Sequence, residues 1–100
     1  MSFERDKIYT IKLNSGEELV AKITDINTDT VTVSSPVSVA VGQQGLQMVP
    51  SLFSSSPDST VGINKNSIAL YSETRGDVEN AYREATTGLT VPESKQILTG

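Results

Sequence analysis

Polar and apolar residues alternate from Lys7 to Leu13. Tyr9, Ile11 and Leu13 fall on one face, and Ile8, Thr10 and Lys12 on the other. A period of two predicts a half-buried strand. Asn14-Ser15-Gly16 follows as a turn in which Gly is free to take positive φ. Glu17 to Asp25 repeats the alternation, with Leu19, Ala21 and Ile23 on one side and Val20, Lys22 and Thr24 on the other. The two strands are expected to pair as a hairpin. Beyond the turn Asn27-Thr28-Asp29, the segment Thr30 to Val41 places Val31, Val33, Val37, Val39 and Val41 at one parity, interrupted by Ser35 before Pro36. This predicts a long, bent or bulged strand with Pro36 at an edge or at the bend.

Gly42-Gln43-Gln44-Gly45 reads as the next turn, and Leu46 to Phe53 as a returning strand kept from the sheet centre by Pro50. Ser54 to Ser59 is a polar loop. Thr60–Ile63 and Ser67–Ser72 are short strands joined tightly by Asn64-Lys65-Asn66. The period then changes. Val78, Ala81, Tyr82 and Ala85 recur at helical spacing, predicting a helix over about 77–87. Thr74 or Asp77 is suited to cap its start and Gly88 to end it. Glu79 and Arg83 lie one turn apart and are placed to pair. Tyr82 is expected to dock the helix rather than meet a ligand. Residues 89–100, with Pro92, show little pattern and are expected to fray. No internal repeat or linker divides the 100 residues, so one domain is expected.

Apolar residues form 36% of the chain, below the usual share of roughly 45–50%. A thin core makes association between subunits a natural supplement. The charge is −4, from 8 basic and 12 acidic residues. That balance disfavours gripping duplex DNA through its phosphates. Single strands read by base edges or stacking need fewer charges. No apolar run approaches the roughly 20 residues of a membrane span. Residues 1–6 carry no hydrophobic stretch like that of a signal peptide. A cytoplasmic location is therefore expected.

The chain contains no cysteine and no histidine. This excludes disulfides, a thiol nucleophile and a Cys-ligated zinc site, and removes the commonest general base and transition-metal ligand. Glu17 and Glu18 are neighbours on a strand, so their carboxylates point to opposite faces. Asp25 and Asp29 flank a turn and read as solvated rather than metal-binding. Ser54-Ser55-Ser56 has no partner to activate a hydroxyl. A non-enzymatic protein without a cofactor is expected.

The order of strands and turns describes a small, mainly β fold. A five-stranded, strongly bent antiparallel barrel of SH3 type is expected over about 7–73, with a C-terminal α-helix. Here the chain resembles the Sm-like family. The segment from Ile11 to Ile23, with its hydrophobic-x-Leu-Asn-x-Gly opening, is similar to the family's first motif. Ile63-Asn64-Lys65-Asn66-Ser67-Ile68 stands where the second has Ile-Arg-Gly-x-Asn-Ile. Short Sm-like proteins of marine tailed phages show a comparable opening and a Thr-Gly tail, which would make the cytoplasm that of the host. Ala21 replaces a family Gly, Asn64 and Lys65 replace the Arg-Gly pair, and the insert Gly42–Ser59 is long.

The resemblance implies a homo-oligomeric ring of about five to seven subunits. It also implies single-stranded RNA bound at pore-facing turns carrying Asn27, Asn64, Lys65 and Asn66. Asn offers hydrogen bonds to base edges, and Lys65 a charge for phosphate. The same residues are also ordinary turn formers. Tyr9 and Tyr71 have aromatic faces for stacking, but strand positions favour packing. The alternative is a protein-interaction or assembly module that keeps the ring without RNA. It would present the Leu46–Phe53 arm or the 77–87 helix to a protein partner. That arm reads equally well as local core.

Overall fold

The computed structural model describes residues 2–56 and 58–87. The expected helix end at Gly88 and the tail 89–100 lie outside the described residues, as does Pro57 of the polar loop. The elements are β1 (Ile8–Leu13), β2 (Glu18–Ile26), β3 (Thr30–Gly42), β4 (Gly45–Pro50), β5 (Thr60–Asn64), a 3-10 turn at Lys65–Ser67, β6 (Ile68–Glu73) and α1 (Gly76–Thr86). The described residues form six strands rather than the expected five, because β4 is a full ladder partner of β3. Pro50 sits at the end of this edge strand, where its missing N–H breaks no ladder.

All pairings are antiparallel and form one sheet in the order β4-β3-β2-β1-β6. β5 shares the β4 side of β3, running along Thr30–Ser34 while β4 runs along Val37–Gly42. No ladder joins β5 to β6 among the described residues, so hydrogen bonding does not close the sheet.

The sheet nevertheless curls. Asn14 N–H donates to the Ser67 carbonyl at 2.7 Å, beside the start of β2, and Lys65 N–H donates to the Asp29 carbonyl at 2.9 Å, beyond its end. A straight nine-residue strand would separate those points by about 26 Å at ~3.3 Å per residue. The 3-10 turn spans only about 4–6 Å at ~2 Å per residue. Register shifts between Val20 and Lys22 and between Ile23 and Asp25 accommodate the bend.

The first shift corrects the expected single face of valines. Val20 pairs with Val37 and Lys22 with Ser34, leaving Ser35 and Pro36 together opposite Ala21. Ser35 takes φ +49° to form this bulge. The extra residue flips the side-chain parity. Val31 and Val33 enter one core with Phe3, Tyr9, Ile11, Ala21, Ile23 and Ile68, whereas Val37 joins Ile8, Val20 and Tyr82 in another. The sheet therefore buries both faces. The N-terminal arm seals the inner one. Phe3 stacks edge-on to Tyr9 at 4.9 Å and lies 4.5 Å from Tyr71.

α1 covers the outer face. Its N-cap is Arg75, with no side-chain capping bond. The expected caps are otherwise engaged. Thr74 Oγ1 pairs with Thr10 Oγ1 at 3.0 Å, and the Asp77 carboxylate accepts from Arg75 Nε at 2.7 Å. Glu79 and Arg83 pair as expected, at 2.8 Å. No helix among the described residues is long and apolar enough to cross a membrane.

Candidate nucleic-acid interface

Two distant turns form one rim. The first opens at Asn27, whose backbone N–H donates to the Thr30 carbonyl at 2.9 Å and whose Nδ2 reaches Thr30 Oγ1 at 3.3 Å. The second is the Lys65–Ser67 turn, entered from Asn64 in extended conformation. Pairing of Thr30 with Asn64, and the Lys65 to Asp29 bond, bring the two together. All four sequence-predicted positions thus lie along one rim. Asn27, Asn64 and Asn66 are exposed and Lys65 is half-buried.

Asn14 also belongs to this rim. Its Nδ2 donates to the Asn66 carbonyl at 2.7 Å, tying the β1–β2 turn to the 3-10 turn. The sequence signal for it is the Leu-Asn-x-Gly opening, where it reads only as turn chemistry. Gly16 completes that turn at φ +96°, a conformation a side chain would strain. Asn14 is spent on the scaffold, whereas the side chain of Asn64 caps nothing.

The charges are distributed unevenly. Arg5 bonds Asp25 at 2.8 Å, Lys7 lies near Glu4 and Glu73, and Arg75 and Arg83 pair within the helical segment. Lys12, Lys22 and Lys65 have no ion pair among the described residues. The Ile26 N–H and then Arg5 hold the Asp25 carboxyl below the usual carboxylate range. Asp25 therefore stays ionised beside the rim and is already satisfied. No group of three or more His, Cys, Asp or Glu residues is placed to hold a metal among the described residues. A strand-end lysine flanked by asparagine amides is suited to one phosphate and a few base-edge bonds, not to a long polyanion.

The aromatic residues are used for packing. Tyr9 is buried, and its hydroxyl accepts from Glu4 N–H at 3.0 Å. Tyr71 packs against Phe3 and accepts from Ser2 N–H at 2.8 Å. Elsewhere, a groove of about 520 Å³ separates β4 from α1, with Leu46, Met48, Val78, Ala81 and Ala85 among its lining. Val41, Leu52 and Phe53 are exposed nearby in sequence. No family model and no curated protein matches the chain.

Proposed function

We propose that this chain is an Sm-like subunit. Its curled sheet acts as a bent barrel, and about five to seven copies form a homo-oligomeric ring that binds single-stranded RNA. The convergence of Asn27 with Asn64, Lys65 and Asn66 on one rim carries this reading. Two further features support it. β5 and β6 lie at opposite ends of the path β5-β3-β2-β1-β6, and each has one edge without a ladder partner among the described residues. Such edges seek strands, and a head-to-tail cycle satisfies both. Leu70 on β6 is 64% exposed, an apolar group on the edge that a neighbour would cover. A ring repeats each modest contact, so weak sites add through multivalency.

The test is fluorescence anisotropy with labelled U-rich and A-rich oligomers at low salt. Binding weakened at least about tenfold by Lys65→Glu is expected, because the change places a like charge against phosphate. No anisotropy change for the unmodified chain rejects the RNA reading, and unchanged affinity of the variant moves the contact elsewhere.

The second reading, a ring serving protein assembly without RNA, is favoured by the −4 charge and the exposed Val41, Leu52 and Phe53. Mass in solution by light scattering tests what the two readings share. A monomer removes the ring from both.

A further inference from the structure

The bulge between β2 and β3 is filled by a side chain from outside the sheet. Where Lys22 opposes Ser34, the Tyr82 hydroxyl stands between the strands. It accepts from Lys22 N–H at 3.2 Å and donates to the Ser34 carbonyl at 3.0 Å. The phenol thus replaces one rung of the ladder. Its ring completes the outer core with Ile8, Val20 and Val37.

The rest of α1 is buried only in part, Val78 packing half-buried against the same cluster. Tyr82 is the one buried residue of the helix. The ion pairs of Arg75 with Asp77 and of Arg83 with Glu79 lie within the helical segment and do not tie it to the sheet. The chain leading into the helix is anchored firmly. Thr74 N–H donates to the Ile8 carbonyl at 3.2 Å, and its hydroxyl pairs with Thr10. After that anchor comes Gly76, with no neighbour within 4 Å of where a Cβ would stand. A fixed point, an open glycine and a helix held chiefly by Tyr82, with the half-buried Val78 packed beside it, form a hinge, an arm and a bolt.

We propose that α1 is a latch, bolted by Tyr82, whose release uncovers the apolar outer face at Ile8, Val20 and Val37 while the inner core stays folded. This does not depend on the ring or on RNA. The inner core draws no residue from α1, so nothing in its packing needs the helix in place. Local opening of such a weakly buried element is cheaper than global unfolding.

The absence of cysteine makes the test clean. Single variants Val20→Cys, under the latch, and Val33→Cys, in the inner core, are treated with a maleimide in the full chain under native conditions. The expected result is labelling of Val20→Cys at least about tenfold faster than Val33→Cys, since only the latter must await global unfolding. Equal rates overturn the proposal. Hydrogen exchange on the unmodified chain guards against disturbance by either cysteine. The amides of α1 and Lys22 should exchange together, ahead of those of Ile23 and Val33. One common opening for all of them also overturns it.

Discussion

The two faces of the sheet are sealed by different means. The inner core is redundant. Phe3, Tyr9, Ile11, Ala21, Ile23, Val31, Val33 and Ile68 come from the arm and four strands, and five more apolar residues pack around them. Among the described residues the outer core has four buried members, of which Tyr82 alone comes from outside the sheet, and three partly buried ones, Val39, Met48 and Val78, pack against them. Burial shared among many side chains resists the loss of any one polar contact. Burial organised by one tyrosine combines its apolar ring and two hydrogen bonds in a single position. The inner face therefore sets whether the chain folds, and the outer face sets whether the helix is docked.

Truncation in the inner core gives the largest expected effect. Ile23 is fully buried at the second bend of β2. Ile23→Ala removes three carbons and leaves a cavity, at a cost of about 2–5 kcal/mol. Against a total of roughly 5–15 kcal/mol for a domain, the urea midpoint should fall sharply for strand and helix signals alike. If the helix signal alone moved, the assignment of roles to the two cores would be reversed.

Tyr82→Phe sharpens the comparison from the other side. The ring stays, but Lys22 N–H and the Ser34 carbonyl lose their bridge. An unsatisfied buried polar group costs about 1–3 kcal/mol. A loss in that range is expected by urea titration, and an unchanged midpoint would show that the two groups find water or each other. Alkali tests the same bridge without mutation. Burial pushes the Tyr82 phenol up to about 12. A raised folded-state value means that the neutral form favours folding. Its contribution is complete below the ordinary value of about 10 and is lost as pH rises through about 12. The stability gap between the unmodified chain and Tyr82→Phe should therefore narrow above pH ~10. A constant gap would show that the phenol titrates alike in the folded and unfolded chain, so that burial does not raise it.

Much of this architecture is legible in the sequence, because strands, tight turns and an amphipathic helix each leave a local period. The β1–β2 hairpin, the long third strand and the helix face at Val78, Ala81, Tyr82 and Ala85 all follow from it. What escapes has no local signature. Phe3 is a solitary aromatic, so no periodicity marks it as the plug of the inner core. The Tyr82 spacing marks a docked face but not a hydroxyl inserted between strands. Asn27 and the Asn64–Asn66 segment each read as turns. Their meeting on one rim depends on how sharply β2 curls, and spacing does not encode that. Whether they touch a ligand is a question of binding, to be read by anisotropy with Lys65→Glu.

The smallest predicted effect concerns the residue that divides the two cores. The valines of β3 share one parity in sequence yet part at Ser35, whose φ of +49° makes the bulge. A non-glycine residue in the left-handed region is strained by roughly 1–2 kcal/mol. Ser35→Gly relieves that strain but loosens the unfolded chain, which offsets part of the gain. A net stabilisation of about 0.5–1 kcal/mol is expected, seen as a melting temperature several degrees higher. Ser35→Val should act in the opposite sense, since a β-branched residue tolerates positive φ worst. A straight β3 would carry Val37 and Val39 to the inner face and leave Ile8 and Val20 without their cover. If Ser35→Val were as stable as the parent, the bulge would not be the device that sorts valines between the cores, and the division would have to reside in Pro36.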